Sequence, residues 1–395
     1  MSSTDGDTVA APRAWRAYCE RLAALGDTIL GAEFPADPRA RAEGYRHLAR
    51  LSVFALQSEL EFSDRAFPMF HRYDDDVVKW GGPNADNQYQ RARIDPAGTY
   101  RLTGDVTGVR ALIVSTHEGD MQLGQYRVFE ERTLSELGVG DDGRLSVTLA
   151  AAPHPEPWIP LAPEVDHVLV RQYVSDWERD AVAPLDLERL DPPASAPEPA
   201  TDAAVAVALE RAVTWVEASA RFWNDYLRRS RTNGTDNVLS PPRHPPGGAQ
   251  NIHYGGGWWH LADDEALLVE CEPPDAPYWG FQLYADGWFE SLDFAHRVTS
   301  LNGHQTHVDD DGRFRIAISA RDPGIQNWLD TEGRAAGLVT YRWVDSTTEP
   351  APTATVVPVA EVRSRLADTT PPFTPEQRRH QIAIRRAATV RRFRT

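Results

Sequence analysis

Residues 141–158 read DDGRLSVTLAAAPHPEPW, and residues 310–328 read DDGRFRIAISARDPGIQNW. Both open on an Asp-Gly pair and pass through an apolar–polar alternation, Leu145, Val147 and Leu149 in one and Phe314, Ile316 and Ile318 in the other. Both then bend through a segment containing proline to reach Trp158 or Trp328. A further apolar run follows each, from Val168 to Tyr173 and from Leu338 to Trp343. Alternation marks a strand because successive side chains leave opposite faces of the backbone. Asp-Gly is a strong hairpin signal. Two such copies predict two similar β modules in tandem. Many short strands with closely spaced turns favour a sandwich over an α/β sheet. The expected fold is mainly β with flanking helices, built as two tandem jelly-roll-like β-sandwiches.

Working outward, residues 1–65 read as helical. Trp15, Tyr18, Leu22, Leu25 and Ile29 form one stripe, and Asp37-Pro38 caps and opens a second helix. The first β module spans 66–190. Residues 191–235 hold a Pro-rich linker and a long bridging helix whose Leu209, Val213, Val216, Ala220, Trp223 and Leu227 step by threes and fours along one face. The second β module spans 236–346. A Pro-rich segment and a basic C-terminal helix fill 347–395, the helix starting at Thr374-Pro375-Glu376-Gln377 with capping-box spacing.

Composition excludes more than it identifies. The 395 residues carry a net charge of −17, which repels nucleic acid in general. The exception is the C-terminus, where Arg378, Arg379, Arg385, Arg386, Arg391, Arg392 and Arg394 crowd together. They fit a helix lying on the acidic body, or an arm for nucleic acid or anionic lipid. No apolar run approaches the ~20 residues of a membrane span. Residues 1–11 lack the pattern of a secretory signal, and two distant cysteines, Cys19 and Cys271, suggest neither a disulfide framework nor a cysteine metal site. A cytoplasmic protein is expected. Twelve tryptophans supply either cores or stacking surfaces for sugars and apolar ligands.

Three clusters could carry chemistry. Gly81-Gly-Pro-Asn84-Ala-Asp86-Asn87-Gln-Tyr89 leads into a strand that also presents Arg91 and Arg93 on one face. It is either an elaborate turn or a reader of polar ligands. Arg321-Asp322-Pro-Gly-Ile-Gln-Asn327-Trp-Leu-Asp330 makes the same bend as its counterpart near Ala152 but adds charges absent there, which suggests a role particular to the second module. His296-Arg297, behind Trp279, is a candidate acid–base or anion site or a structural histidine. The phosphate-loop and nucleophile-elbow patterns are missing, and no motif implies a metal or another cofactor.

The ordered segments Pro277-Tyr-Trp-Gly-Phe-Gln-Leu-Tyr, Ser291-Leu-Asp-Phe-Ala-His296-Arg297, Arg321-Asp-Pro-Gly, Asn327-Trp-Leu-Asp330-Thr and Arg342-Trp343 make the second module resemble the family called domain of unknown function 1214. The first module is similar to its frequent partner, domain of unknown function 1254, through Asn84, Asp86 and Tyr89. The resemblance implies a double jelly roll like that of large viral capsid subunits and implies no reaction.

The leading functional expectation is a metal-independent enzyme, of hydrolase or lyase type, acting on a small polar or glycosyl-bearing metabolite. Asp86 and Asp322 would be its acid–base carboxylates, assisted by His296. Asn84, Asn87, Tyr89, Arg91, Arg93, Tyr254, Arg297, Arg321, Asn327 and Asp330 would bind the substrate, with Trp258 or Trp279 stacking on it. Two alternatives stand beside it: a non-catalytic binder of carbohydrate or another small molecule, and a capsid-like assembly subunit. Self-association as a homo-oligomer is expected because such modules leave flat faces.

Overall fold

The two Asp-Gly pairs fold alike. In the computed structural model, which describes residues 10–155, 157–244 and 251–394, Gly143 and Gly312 have φ of 75° and 79°. That left-handed backbone is one only glycine enters without strain. Asp142 and Asp311 each accept a 3.0 Å hydrogen bond from the backbone N–H two residues on. Of the stretch read for a secretory signal, residues 1–9 lie outside the described residues.

After helices α1 (Ala10–Thr28) and α2 (Pro38–Leu56), the first half contains β1 (His71–Arg72), β2 (Asn87–Arg93), β3 (Tyr100–Asp105), β4 (Ala111–Glu118), β5 (Arg127–Thr133), β6 (Arg144–Ala150), β7 (Trp158–Pro160), β8 (His167–Tyr173) and β9 (Leu185–Arg189). Helix α3 (Asp202–Asn233) follows. The second half contains β10 (Ile252–His260), β11 (Glu265–Cys271), β12 (Tyr278–Tyr284), β13 (Ser300–Asn302), β14 (Phe314–Ser319), β15 (Trp328–Asp330), β16 (Ala336–Val344) and β17 (Thr353–Pro358), then helix α4 (Pro375–Phe393).

Strand order is β1-β2-β8-β4-β5 and β7-β6-β3-β9 in the first module, and β10-β16-β12-β13 and β15-β14-β11-β17 in the second. Without the two-residue β1, adding eight to each strand number of the first module generates the second. The one parallel pair of each module is also the same, β6 with β7 and β14 with β15. The indole of Trp158 donates to the Ala150 carbonyl at 3.0 Å and that of Trp328 to the Ser319 carbonyl at 3.2 Å. The chain is therefore two tandem β-sandwiches of one topology. The Asp-Gly pairs correct one detail of the sequence reading. They do not join hairpin partners, because β5 and β6, like β13 and β14, lie in different sheets.

Each sandwich closes over its own core. Ala92, Val114 and Val170 meet Leu102, Val147 and Leu187 in the first. Trp259, Phe281 and Trp343 meet Val269, Phe314 and Ile316 in the second. The capped helices form as expected, but the α1 stripe holds only in part, because Trp15 is exposed and Ile29 lies past the helix end. Asp37 accepts from the Ala40 N–H at 3.0 Å, and the α3 stripe from Leu209 to Leu227 is buried. Thr374 and Gln377 close a reciprocal capping box on α4.

Compactness does not follow chain order. One unit comprises residues 1–80, 87–174 and 181–225; the other comprises 81–86, 175–180 and 226–395. The segments 81–86 and 175–180 therefore belong with the second unit, although chain order puts them inside the first module's 66–190.

Candidate functional site

In the second unit, the outer face of the β10-β16-β12-β13 sheet holds the segment 81–86 by hydrogen bonds. Gln282 accepts from the Ala85 N–H at 2.8 Å and donates to the Pro83 carbonyl at 3.0 Å. Tyr284 donates to the Pro83 carbonyl at 3.0 Å, and Arg342 to the Gly82 carbonyl at 2.9 Å. Asp86 is buried: one carboxylate oxygen accepts from the Trp177 indole at 2.6 Å and the other from the Tyr278 hydroxyl at 2.7 Å, while Asn84 donates to that hydroxyl at 2.9 Å. Arg385 and Arg392 lie over the Trp177 ring, 4.2 and 4.3 Å from its centroid. Burial pushes the Arg385 guanidinium down to about 9, with Asp86 pulling the other way, so it is charged at neutral pH. This network fixes a segment and a helix, and each Asp86 oxygen is already engaged by a donor.

The other expected residues of this unit separate. Asp322 pairs with Arg378 of α4 at 2.9 Å, whereas Arg392, fourteen residues along the same helix, donates to the carbonyl of Ala85 beside Asp86. Fourteen helical residues rise ~21 Å. The two carboxylates are thus held toward opposite ends of α4 and do not form an acid–base pair. Arg321 is exposed and does not pair with its neighbour Asp322. Asn327 ties its bend together through the His307 N–H and the His307 and Arg315 carbonyls. Arg297 pairs with Asp330 at 2.7 Å, and exposed His296 contacts Asp293 at 3.1 Å. Neither tryptophan offers a stacking surface. Trp258 is buried with its indole toward Ser230 and Arg231 over its ring. Trp279 stacks on Phe314 inside the core. Tyr254 is half-buried under Arg342.

In the first unit, the expected strand face forms and carries more than the sequence suggested. Asn87, Tyr89, Arg91 and Arg93 alternate with the core residue Ala92 along β2, and Asn87 donates to the Tyr89 hydroxyl at 3.3 Å. Arg91 is fully buried and forks onto Asp120 at 3.0 and 3.1 Å. The Trp215 indole donates to the same carboxylate at 2.9 Å. Arg93 joins Asp166 and Glu59, both at 2.9 Å. Asp166 also contacts His167 Nδ1 at 2.5 Å, and the His167 ring stacks on His117 at 5.1 Å with 9° between planes. His117 Nε2 lies 2.7 Å from Ser115 Oγ, which donates to the Leu169 carbonyl at 3.2 Å.

One assignment of the protons satisfies every link of that chain. With the Ser115 proton committed to Leu169, His117 Nε2–H donates to Ser115 Oγ and Nδ1 keeps its lone pair. His117 Nδ1 is buried without a hydrogen-bond partner, as are Arg91 Nε and Gln122 Nε2. Burial, reinforced by His167, Arg171 and Arg91, holds His117 far below the usual histidine range. Burial and Arg91 do the same to His167, outweighing the opposing pull of Asp120, so both imidazoles are neutral. Burial opposes charge on Asp120 too, but Arg91 reverses the balance and keeps it ionised. Asp120 and Gln122 sit on the β4–β5 turn, bounded by Gly119 and Gly124 with φ of 58° and 79°. Tyr126 follows, its ring 5.7 Å from that of His117. Such a set can take up or relay a proton and balance an anion. Among the described residues, no group of three or more His, Cys, Asp or Glu side chains is arranged to hold a metal.

The sequence reading missed Ser115, His117, Asp120, Asp166 and His167. One signal was available: Ser115 and His117 alternate with Val114 and Thr116, placing two hydrogen-bonding groups on the face that the core leaves free.

Comparison with known proteins agrees with the architecture. No curated protein matches the chain. The solved structure of an uncharacterised protein from Burkholderia cenocepacia is similar at 33% identity and a TM-score of 0.82, over 88% of this chain and 98% of that one. The structure of a Vibrio parahaemolyticus protein matches at 11% identity and a TM-score of 0.46, over 79% of this chain and 98% of that one. Residues 266–347, the greater part of the second sandwich, match the family described as protein of unknown function DUF1214. Being one-third identical over nearly all of the Burkholderia cenocepacia protein, the chain belongs to that protein's family and carries the DUF1214 domain in its second module.

Proposed function

We propose that the protein is a metal-independent enzyme acting on a small polar metabolite, with its acid–base centre on the outer face of the β1-β2-β8-β4-β5 sheet. The observation that carries this reading is the buried His117 Nδ1, left without a hydrogen-bond partner on the face that also buries Arg91. His117 is the base in this reading. Ser115 fixes its tautomer, and the Asp166–His167 pair supports its ring. Arg91, held ready by Asp120, receives negative charge as it develops on the substrate. In this reading substrate reaches the buried set past the β4–β5 turn bounded by Gly119 and Gly124. The likeness of this first module to domain of unknown function 1254, and assembly into a homo-oligomer, belong to the same proposal.

The test incubates full-length protein and a His117→Gln variant with a panel of polar metabolites, free sugars and glycosides, read by mass spectrometry. We expect a metabolite consumed by the native chain and spared at least 100-fold by the variant. Equal consumption by both ends the assignment to His117. Saturable binding without product, lost in the variant, converts the reading to a small-molecule or carbohydrate binder. A large symmetric particle with neither binding nor turnover supports the capsid-like alternative.

A further inference from the structure

Helix α4 presents two arginine rows. Arg378, Arg385 and Arg392 recur every seven residues, are buried and bind the second unit: Arg378 holds Asp322, Arg385 donates to the Phe294 and Ser300 carbonyls at 2.9 and 3.0 Å, and Arg392 donates to Ala85. Arg379 and Arg386 form the second row. They are exposed and, among the described residues, have no carboxylate partner. Seven residues set them about 10 Å apart along the axis. Between and beyond them Ile382, Ala383, Ala387 and Val390 line a groove of about 590 Å³ with His296 on its rim. Val390 is 48% exposed there. At the rim Asp293 is held 3.1 Å from His296, and Glu376 stands three residues before Arg379 on the helix.

Unpaired cations above an apolar floor are unusual on a chain with a net charge of −17. The arginines select against cations and neutral molecules, and the floor rewards a hydrocarbon chain. The groove is shallow and open to solvent, with room for one hydrocarbon chain along the helix. We infer that this groove binds a monomeric single-chain amphiphile with an anionic carboxylate or phosphate head. Arg379 and Arg386 contact the head while the chain lies along Ile382, Ala383 and Val390. The groove's residues all belong to the second unit and none is in the acid–base set of the first.

The test is titration calorimetry of the full chain with dodecyl phosphate below its micelle concentration, repeated on an Arg379→Gln/Arg386→Gln double variant. Both positions are exposed, so circular dichroism of the variant should match the native protein. The expected result is saturable 1:1 binding that weakens at least tenfold in the variant, with dodecanol and inorganic phosphate each binding at least tenfold more weakly. Absence of saturable binding overturns the inference, as does equal affinity in the variant. Inorganic phosphate binding as tightly as the amphiphile would overturn it in favour of a plain anion site. Co-sedimentation with phosphatidylglycerol vesicles without binding of the monomer would overturn it in favour of a membrane-facing helix.

Discussion

The outer faces of the two larger sheets are one surface filled in two ways. Strand pairing equates their positions. Tyr89 lies opposite Arg171 as Tyr254 lies opposite Arg342, so one Tyr–Arg pair recurs at the same place in both modules. One step along each strand the modules part. Arg91, Leu169 and Ser115 stand where the second module has Gly256, Thr340 and Gln282. Arg93, His167 and His117 stand where it has Trp258, Leu338 and Tyr284. At these positions the second face holds backbone with the neutral amide of Gln282 and the phenol of Tyr284, beside the shared Arg342. The first buries ionisable groups against one another, which costs desolvation and is repaid only by close pairing. Comparing only the Trp158 and Trp328 bends suggests that charge was added to the second module. Comparing equivalent strand positions puts buried Arg91, His117 and His167 in the first module, whereas the buried charges of the second face, Asp86, Arg385 and Arg392, come from a turn and from α4.

The sharpest break of this comparison is Asp120→Ala against Gln282→Ala. Removing Asp120 strands the fully buried Arg91 guanidinium, and such loss of one partner of a buried pair costs about 3–5 kcal/mol. Removing Gln282 orphans the Ala85 N–H and leaves the Pro83 carbonyl to Tyr284 alone, a cost of about 1–3 kcal/mol. Urea denaturation of each variant measures the difference. If Gln282→Ala costs as much as Asp120→Ala, the two faces are energetically alike and the contrast fails.

Acid should separate the faces as well. Burial, then Arg91 and Arg93, pushes the His71 imidazole down to about 3, and burial lowers His117 and His167 in the same direction. A histidine lowered on folding binds its proton in the unfolded chain first, so stability falls as pH drops below the unfolded value near 6.5. For His71 the loss reaches about 2 kcal/mol by pH 5 and continues toward its folded value. The urea midpoint should therefore fall steadily between pH 7 and 5, and His71→Phe should flatten that slope. A midpoint independent of pH over this range would mean these imidazoles are solvated.

How much of this could be read from the chain depends on the range of the signal. The repeat, the Asp-Gly turns and the helix caps are local patterns, and each reappears as bonded geometry: Asp142 and Asp311 on their turn amides, Thr374 on Gln377. The β2 face was legible through its period of two. Its partners were not, because Asp120 arrives on a turn and His167 through cross-strand register, neither of which a linear pattern encodes. The supposed pair of Asp86 and Asp322 failed for the same reason. Both sit in polar turns that look alike in sequence, yet one holds an indole and a phenol and the other a helix arginine.

The smallest effect bears on the part of the comparison that the modules share. Trp158→Phe and Trp328→Phe each delete the indole bond to the neighbouring strand's carbonyl, worth about 1 kcal/mol. Were the bend purely inherited scaffold, the two costs would match. Trp328, however, also donates to Ser319 Oγ at 3.0 Å and lies under Arg378, 4.9 Å from the guanidinium to the ring centroid. It therefore supports the arginine that docks α4, and its replacement should cost more. Amide exchange at the start of α4 should also quicken in Trp328→Phe and not in Trp158→Phe. Equal exchange in the two variants would place the anchoring of α4 in the Asp322–Arg378 ion pair alone.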